Sequence, residues 1–595
     1  MKNIHKSILV AALGLISLTA AAQKDTTLTR QVMLEREYTP TLQDASKINS
    51  LPSIYEPTIA KRDARFVSQP PQISLANNLL GSVASGDIKT DIEYSKKRGY
   101  LIFGGGTNAN LDGAFGYRLV NSGNDRLDIS ATHNSMNGDV KFAHPGYVFN
   151  EVKAKYADTK VKLKYEHAFE PSVLSFYGSY FNTAYNYYGN SFWSLSAAET
   201  FPYDIKSKQN VDVVSFGAGL KSTDTNSGLL KYKGNVSYDY FKSKYGLQKS
   251  DKAPGGGIIN LDADIYTEFG SDKVVGVKGL IMNQSFNSPT EHLKDAYHSF
   301  TNVTGTPYIR FEGVSWTAEL GLNASALFDS DNAIFLSPNV IANVHVDETS
   351  TLYGEITGGV NNNTFLDILQ ENRYTSPMAR VEYSKTVYDA KIGFKSGVVP
   401  GFEFDIFGGY KHTKKDHLFI ARPMFEWGNM SVPVYANIST GHIGGLLKTN
   451  LIPYTTLSAK AIAYFYNVKY TKPFVYDREN PIMDTYPTEQ KAWGLPTFTA
   501  ELNADVKPMD QLTMSATFLF AGGRKGYFDD IAGIDRRPPT SMNDITELNL
   551  RGEYQINDWV SVNARLNNIL YGKYEIVKGY TLQGFNILGG VSLKF

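Results

Sequence analysis

Along most of this chain, apolar and polar residues alternate one by one. Within 558–569, Val560, Val562, Ala564 and Leu566 fall on one face, and Ser561, Asn563, Arg565 and Asn567 on the other. Within 509–522, Leu512, Met514, Ala516, Phe518 and Phe520 alternate with Thr513, Ser515 and Thr517. Phe402, Phe404 and Ile406 alternate with Glu403 and Asp405. Successive side chains of a strand point to opposite faces, so each stretch predicts a strand with one apolar and one wet face. The pattern begins near residue 98 and runs to the terminal Phe595.

The connections carry a second rhythm. Tight ones occur at Gly270-Ser271, Gly313, Glu348, Val399-Pro400-Gly401, Lys507-Pro508 and Asn557. Long ones occupy 136–149, 188–208, 245–256, 287–299, 363–379, 414–435, 467–493, 523–541 and 570–581. A β-sandwich also alternates, but gives no reason for long and short connections to take turns. Outer-membrane barrels have short periplasmic turns and long outer loops. The chain therefore predicts an all-β fold over 98–595: a transmembrane antiparallel β-barrel of about 22 strands. With the long loops outside, the first strand runs outward, the last runs inward, and the count is even. The stretch 150–168 slips phase between Tyr156 and Val161 and reads as one strand with a bulge. In the last strand, Phe585, Ile587, Gly589, Val591, Leu593 and Phe595 are expected to face lipid, and Asn586, Leu588, Gly590, Ser592 and Lys594 the lumen.

Residues 1–22 read as a secretory signal peptide. Lys2, His5 and Lys6 precede the apolar run Ile8–Leu18, and Ala20-Ala21-Ala22 is the cleavage site. Beyond it no run of eighteen apolar residues suggests a helical span. Residues 23–97 lack the alternation and read as a periplasmic or lumen-entering extension.

Composition narrows the chemistry. Aromatics are 13% of the chain, with 38 Tyr, 33 Phe and 51 Gly, a mix suited to strands, turns and interfacial aromatic belts. Lys plus Arg equals Asp plus Glu at 59 each, so there is no electrostatic ground for a nucleic-acid partner. The absence of Cys excludes disulfides, thiolate metal sites and a Cys nucleophile. The ten His form no HExxH, and there is no GxSxG elbow. His412 and His417 flank Lys414-Lys415-Asp416 in an expected outer loop. Asp329-Ser330-Asp331-Asn332 reads as a polar turn rather than a Ca²⁺ loop, and Gly104–Gly106 and Gly255–Gly257 as strand kinks and flexible outer loops rather than phosphate loops. No catalytic residue, metal ligand or cofactor is assigned, and an enzyme is not expected. Candidate ligand contacts are the outer-loop aromatics Trp193, Phe201, Phe425, Trp427, Tyr476 and Trp493. They stack on sugar rings or cap a partner, or else pack on one another or join the aromatic girdle.

Two stretches carry a family resemblance. RLNNILYGKYE at 565–575, Gly579-Tyr580 and GFNILGGVSLKF at 584–595 resemble the C-terminus of TonB-dependent outer-membrane receptors. Asn568-Ile569 and Lys573-Tyr574 stand where that family has an Asn-Leu and a Lys-Tyr pair. REYTPTLQDASKINSLP at 36–52, with RGYLIFGGGTNANL at 98–111, resembles a group of such barrels lacking the usual plug. The resemblance implies an outer-membrane location and receptor or transport function for a ligand. The alternative is a plugless structural or assembly barrel that scaffolds a periplasmic or surface partner. Implied partners are outer-membrane lipids, the barrel-assembly machinery, for which Phe595 is the signal, and TonB or another periplasmic protein through residues 24–97. There Gln31-Val32-Met33-Leu34-Glu35 mimics the box that pairs with TonB by strand addition.

Overall fold

The computed structural model describes residues 97–144, 150–189, 208–223, 230–246, 252–270, 272–287, 297–329, 332–377, 379–424, 428–470, 489–528 and 540–595. The expected leader, the extension before residue 97 and the 31–35 segment lie outside the described residues.

Twenty-two strands form one antiparallel sheet. Each pairs with its neighbour in chain order, and the first strand, Gly99–Gly106, pairs with the last, Asn586–Lys594. Gly99 and Phe595 exchange both backbone hydrogen bonds, at 2.7 and 2.9 Å. The ring is thereby closed, and no strand edge is left inside the membrane-facing wall.

Side chains sort by parity, as the alternation predicts. On the last strand Ile587, Val591 and Phe595 are exposed outward, while Asn586, Leu588 and Ser592 are buried inward. Around the ring Phe103, Phe176, Phe216, Leu320, Ile406, Ile443 and Leu502 also stand exposed on the outer face, the apolar band that a bilayer covers. The inner face is polar and cross-linked. Arg118 pairs with Asp128 at 2.8 Å and Lys278 with Glu319 at 2.8 Å, and Tyr353 donates to Asp405 at 2.9 Å. Inward tyrosines lie flat over glycines of the next strand. A Cβ at Gly217 or Gly393 would sit 2.3 Å from the ring of Tyr177 or Tyr353. No described helix is long and apolar enough to cross a membrane.

The structure departs from the sequence reading in three places. Glu151–Ala168 is one strand, but its pairing with Asp125–Lys141 and with Ser172–Asn186 runs without a bulge. The apparent slip has another cause. Val161 and Leu163 face lipid, while Lys155 and Thr159 on the same side lie further toward the outer end, where lipid no longer demands apolar groups. Tyr156 turns inward, beneath the Arg373 guanidinium at 4.9 Å. Second, 414–435 is not a loop. Phe402–Met424 and Gly428–Thr449 have 23 and 22 residues and pair up to Met424↔Gly428, with one irregularity between Thr413 and Asp416. A membrane strand needs about 9–11 residues, so the distal half of this hairpin stands above the bilayer. Third, the long connections 363–379 and 570–581 contain a helix, Phe365–Glu371, and a small hairpin, Glu575–Val577 with Tyr580–Thr581.

The wall is lowest at its closing seam. Val560–Asn567 and Gly99–Gly106 have eight residues each and Asn586–Lys594 nine. A salt bridge straps this seam from inside. Arg565 reaches across the last and first strands to Asp112 on Leu111–Asn121. Asp112 also accepts from Asn134. The strap lies where Gly590 and Gly104 offer no side chain. A Cβ at Gly590 would meet the Phe103 carbonyl oxygen at 2.7 Å and Asn563 Oδ1 at 2.9 Å. Gly590→Val is expected to cost about 2 kcal/mol or more, as overpacking beside a buried ion pair does. The check is the denaturant midpoint of the folded barrel in detergent; an unshifted midpoint rejects this account of the seam.

Candidate functional site

Three segments meet inside the outer mouth of the barrel. The first is 362–383, between strands Ser350–Asn361 and Ser384–Val399. Asn363 takes a positive φ of 43° and turns the chain inward. Thr364 then caps the helix. Its hydroxyl accepts from the Asp367 N–H, and the Asp367 carboxylate accepts from the Thr364 N–H at 2.8 Å. This reciprocal cap satisfies orphan donors at the helix start, and the helix buries Phe365, Ile368 and Leu369. The Phe365 N–H donates to the buried Gln284 at 2.7 Å, and its ring stacks on Phe241 at 4.9 Å.

After the helix the segment crosses the lumen. Arg373 grips Asp158 with both guanidinium nitrogens, at 2.8 and 3.3 Å. Asp158 lies on the fourth strand of the ring, whereas the segment springs from the thirteenth, so the crossing approaches a diameter of the 22-strand circle. Both partners of this ion pair are largely buried. Removing one member of such a pair typically costs about 3–5 kcal/mol, because the other is left uncompensated.

The second segment is the C-terminal loop 568–585. Tyr580 is fully buried, and its ring stacks on Tyr374 at 4.0 Å with an interplanar angle of 15°. Tyr188 sits edge-on to both rings and donates to the Thr581 carbonyl at 3.0 Å. Tyr187 donates to the Thr375 carbonyl at 3.2 Å. Arg524 holds the loop from behind, donating to the carbonyls of Glu575 and Ile576.

The third segment is the raised hairpin. The Ser376 N–H donates to the Ser431 carbonyl at 2.8 Å, and the Ser431 N–H to the Tyr374 carbonyl at 2.9 Å. The crossing segment is thus added to the hairpin as a short parallel strand. On the hairpin's other edge Ala421 donates to the Tyr527 carbonyl at 2.9 Å. Tyr435 donates to the Arg380 carbonyl and accepts from the Glu382 N–H, at 2.9 and 2.8 Å.

One contact of these loops pairs a histidine with a carboxylate. His417 Nε2 lies 2.7 Å from Glu371 at the end of the Phe365–Glu371 helix. Burial alone would pull the His417 pKa down. The Glu371 hydrogen bond and the charges of Glu371 and Asp416 more than reverse this and raise it. Burial raises the neighbouring Asp416 carboxyl as well.

The six aromatics picked from the sequence fare unequally. Trp193, Phe201, Phe425, Trp427 and Tyr476 lie outside the described residues. Trp493 is fully buried. It packs with Leu418, Ile420, Val434 and Val468 and lies 5.1 Å from the Tyr527 ring, so it braces the hairpin rather than presenting its ring to a ligand. His412 bonds Ser439 on the barrel wall at 2.9 Å. Of the residues that meet inside the mouth, Asp158, Arg373 and Tyr374 were not picked out, while Tyr188 opens the 188–208 connection and Tyr580 lies in the stretch that carries the C-terminal resemblance. Only Thr364-Phe365-Leu366-Asp367, a capping box at the head of an apolar turn, was available as a signal.

No protein-family model matches the chain, and no curated protein does. Solved structures do. The siderophore receptor PiuA from Acinetobacter baumannii superposes with a TM-score of 0.58 at 11% identity, over 85% of this chain and 82% of that one. The ferric-catecholate import receptor Fiu from E. coli K12 gives 0.59 at 10% identity, over 84% and 82%. The copper transporter OprC gives 0.55 at 12% identity, over 84% and 80%. This chain has their barrel fold. Identities this low carry the fold alone, and one fold serves many functions. Within this barrel the described loops 362–377, 379–383 and 568–585 meet across the outer mouth.

The His417 contact sets a pH dependence. A histidine whose pKa is raised on folding stabilises fully below its ordinary value of about 6.5 and loses that contribution as pH rises through the raised value. Amide exchange in Phe365–Glu371, corrected for intrinsic rates, is expected to quicken between about pH 6.5 and alkaline pH. In His417→Gln that pH response disappears; an identical response in the variant would show that another group governs the helix.

Proposed function

We propose that the chain is an outer-membrane receptor that admits a ligand through its barrel, with 362–383 as the outer lid. The observation that carries this reading is the crossing itself. A ring of 22 strands is wide enough to hold an aqueous channel unless something fills it, and here the protein's own loops span the outer mouth. An ion pair and a tyrosine stack hold them, contacts that can be exchanged for contacts with a ligand. The fold neighbours named as siderophore receptors, a ferric-catecholate importer and a copper transporter support a receptor or transporter over an enzyme. They also show that this fold does not dictate one cargo.

Under this reading the outer-loop aromatics Trp193, Phe201, Phe425, Trp427 and Tyr476 are ligand contacts on the outer side. Residues 24–97 meet TonB or another periplasmic protein, with 31–35 pairing by strand addition. Phe595 is the residue that the assembly machinery reads.

Conductance in planar bilayers tests the lid. Wild-type barrels are expected to pass little current. Arg373→Ala combined with Tyr374→Ala removes the latch and is expected to raise single-channel conductance at least several-fold. Wide-open wild-type channels would overturn the lid. A double variant that folds yet stays as silent as wild type would favour the structural scaffold, with the lumen shut by another part of the chain or by a partner.

A further inference from the structure

Many charges on the lumen wall are matched across neighbouring strands. Six inward lysines stand directly opposite acids on an adjoining strand: Lys391 opposite Glu355, Lys395 opposite Asp405, Lys411 opposite Asp389, Lys448 opposite Glu403, Lys460 opposite Glu501 and Lys278 opposite Asp264. Opposite-charge cross-strand pairs stabilise a sheet, and like charges side by side destabilise it.

Lys221 departs from this pattern, opposite Val173 and Lys233, and so do Lys160 and Lys162. The last two lie on Glu151–Ala168, two positions apart on the lumen face, a separation of about 7 Å. Lys160 stands opposite Thr132 and Phe181, and Lys162 opposite Ser130 and Ser179. One strand further out, the partners are Ala114, Gly116, Val213 and Ser215. No carboxylate faces the pair across this five-strand panel. The nearest acids on their own strand are already engaged. Asp158 is held by Arg373 and by the Thr183 hydroxyl at 2.6 Å, and Glu166 by Lys164 at 2.7 Å. Both lysines are exposed to the lumen. The Lys162 ammonium lies over the Tyr177 ring at 5.2 Å, with Lys160 and Lys164 flanking it on the same strand face.

We infer that Lys160 and Lys162, with the hydroxyls of Ser130, Thr132 and Ser179, form a binding site for a small polyanionic solute just beneath the lid. Two ammonium groups on stems rooted about 7 Å apart suit a molecule carrying two or more carboxylates or phosphates. Adjacent hydroxyls add neutral donors, and a partly enclosed lumen weakens screening relative to an open surface. Asp158 is the residue next above Lys160 on the same face. A solute bound here therefore lies beside the carboxylate that latches Arg373. Its negative charge competes for that guanidinium, which ties occupancy to lid release. The site thereby deepens the receptor reading, on which it rests, by naming the chemical class of what passes.

Binding to the full chain in detergent tests this without requiring transport, so failure here and failure of the lid in bilayers are told apart. Titration calorimetry with citrate is expected to show one site on wild type, weakening several-fold between low and physiological salt. Lys160→Gln with Lys162→Gln is expected to weaken it at least tenfold, about 1.4 kcal/mol, while Lys160→Arg with Lys162→Arg retains it. Sorbitol, uncharged and of similar size, is expected not to bind. No citrate binding by wild type, equal binding by the Gln variant, or equal binding of sorbitol would each overturn the site.

Discussion

Everything in this molecule depends on the hydrogen-bonded closure of one sheet. A bilayer core offers no partner for a free N–H or carbonyl, so a strand can enter only if both of its edges are paired. The contact between Gly99–Gly106 and Asn586–Lys594 meets that demand, and it is the shortest part of the wall. Its neighbours compensate from inside. Glycines at 104 and 590 leave room for Arg565 to reach Asp112 over two intervening strands. The polar face of the ring follows from the same closure. With backbone pairing complete, only outward side chains need be apolar, and inward ones are free to form ion pairs and tyrosine hydrogen bonds.

Closure also creates the problem that the lid addresses. A ring of this many strands encloses more space than its own side chains can fill. Instead of a bulkier lining, the protein turns a loop inward and joins it to a hairpin raised above the membrane. The crossing segment then gains a buried apolar surface at its helix, backbone pairing at Ser431 and an ion pair at Asp158. Each is a different kind of interaction with a different sensitivity. Apolar contacts at Phe365 and Phe241 are indifferent to charge, the Arg373 pair responds to competing anions, and His417 responds to pH. A lid held in this mixed way can be firm at one end and releasable at the other.

The ring was legible in the sequence because its cause is local. Period-two alternation and the long-short rhythm of loops give strand number, direction and facing without any tertiary information, down to Ile587 outside and Asn586 inside. Glu151–Ala168 marks where that logic ends. Alternation reports lipid, so above the bilayer Lys155, Tyr156 and Thr159 cease to follow it and mimic a bulge. The 414–435 stretch was misread for a related reason: above the bilayer Leu418, Ile420, Met430 and Val434 are buried against protein rather than lipid, and the alternation fades. The lid was illegible because its partners are remote. Nothing near Arg373 names Asp158, and nothing near Tyr374 names Tyr580. Trp493 took the other of the two roles open to the loop aromatics, packing within the protein. An aromatic in a long outer connection looks like a ligand contact until the hairpin it braces is seen.

The seam also fixes the order in which the molecule can be made. Gly99 and Phe595 stand at opposite ends of the described barrel, and Asp112 and Arg565 are 453 positions apart. Contacts so distant in sequence are the slowest to form, because the whole intervening chain must be organised first. Until then two bare strand edges persist, each a template for a wrong neighbour. A short, glycine-lined junction with a single charged strap is suited to joining last: it requires few pairs to register, and its strap can settle only when all four strands are in place.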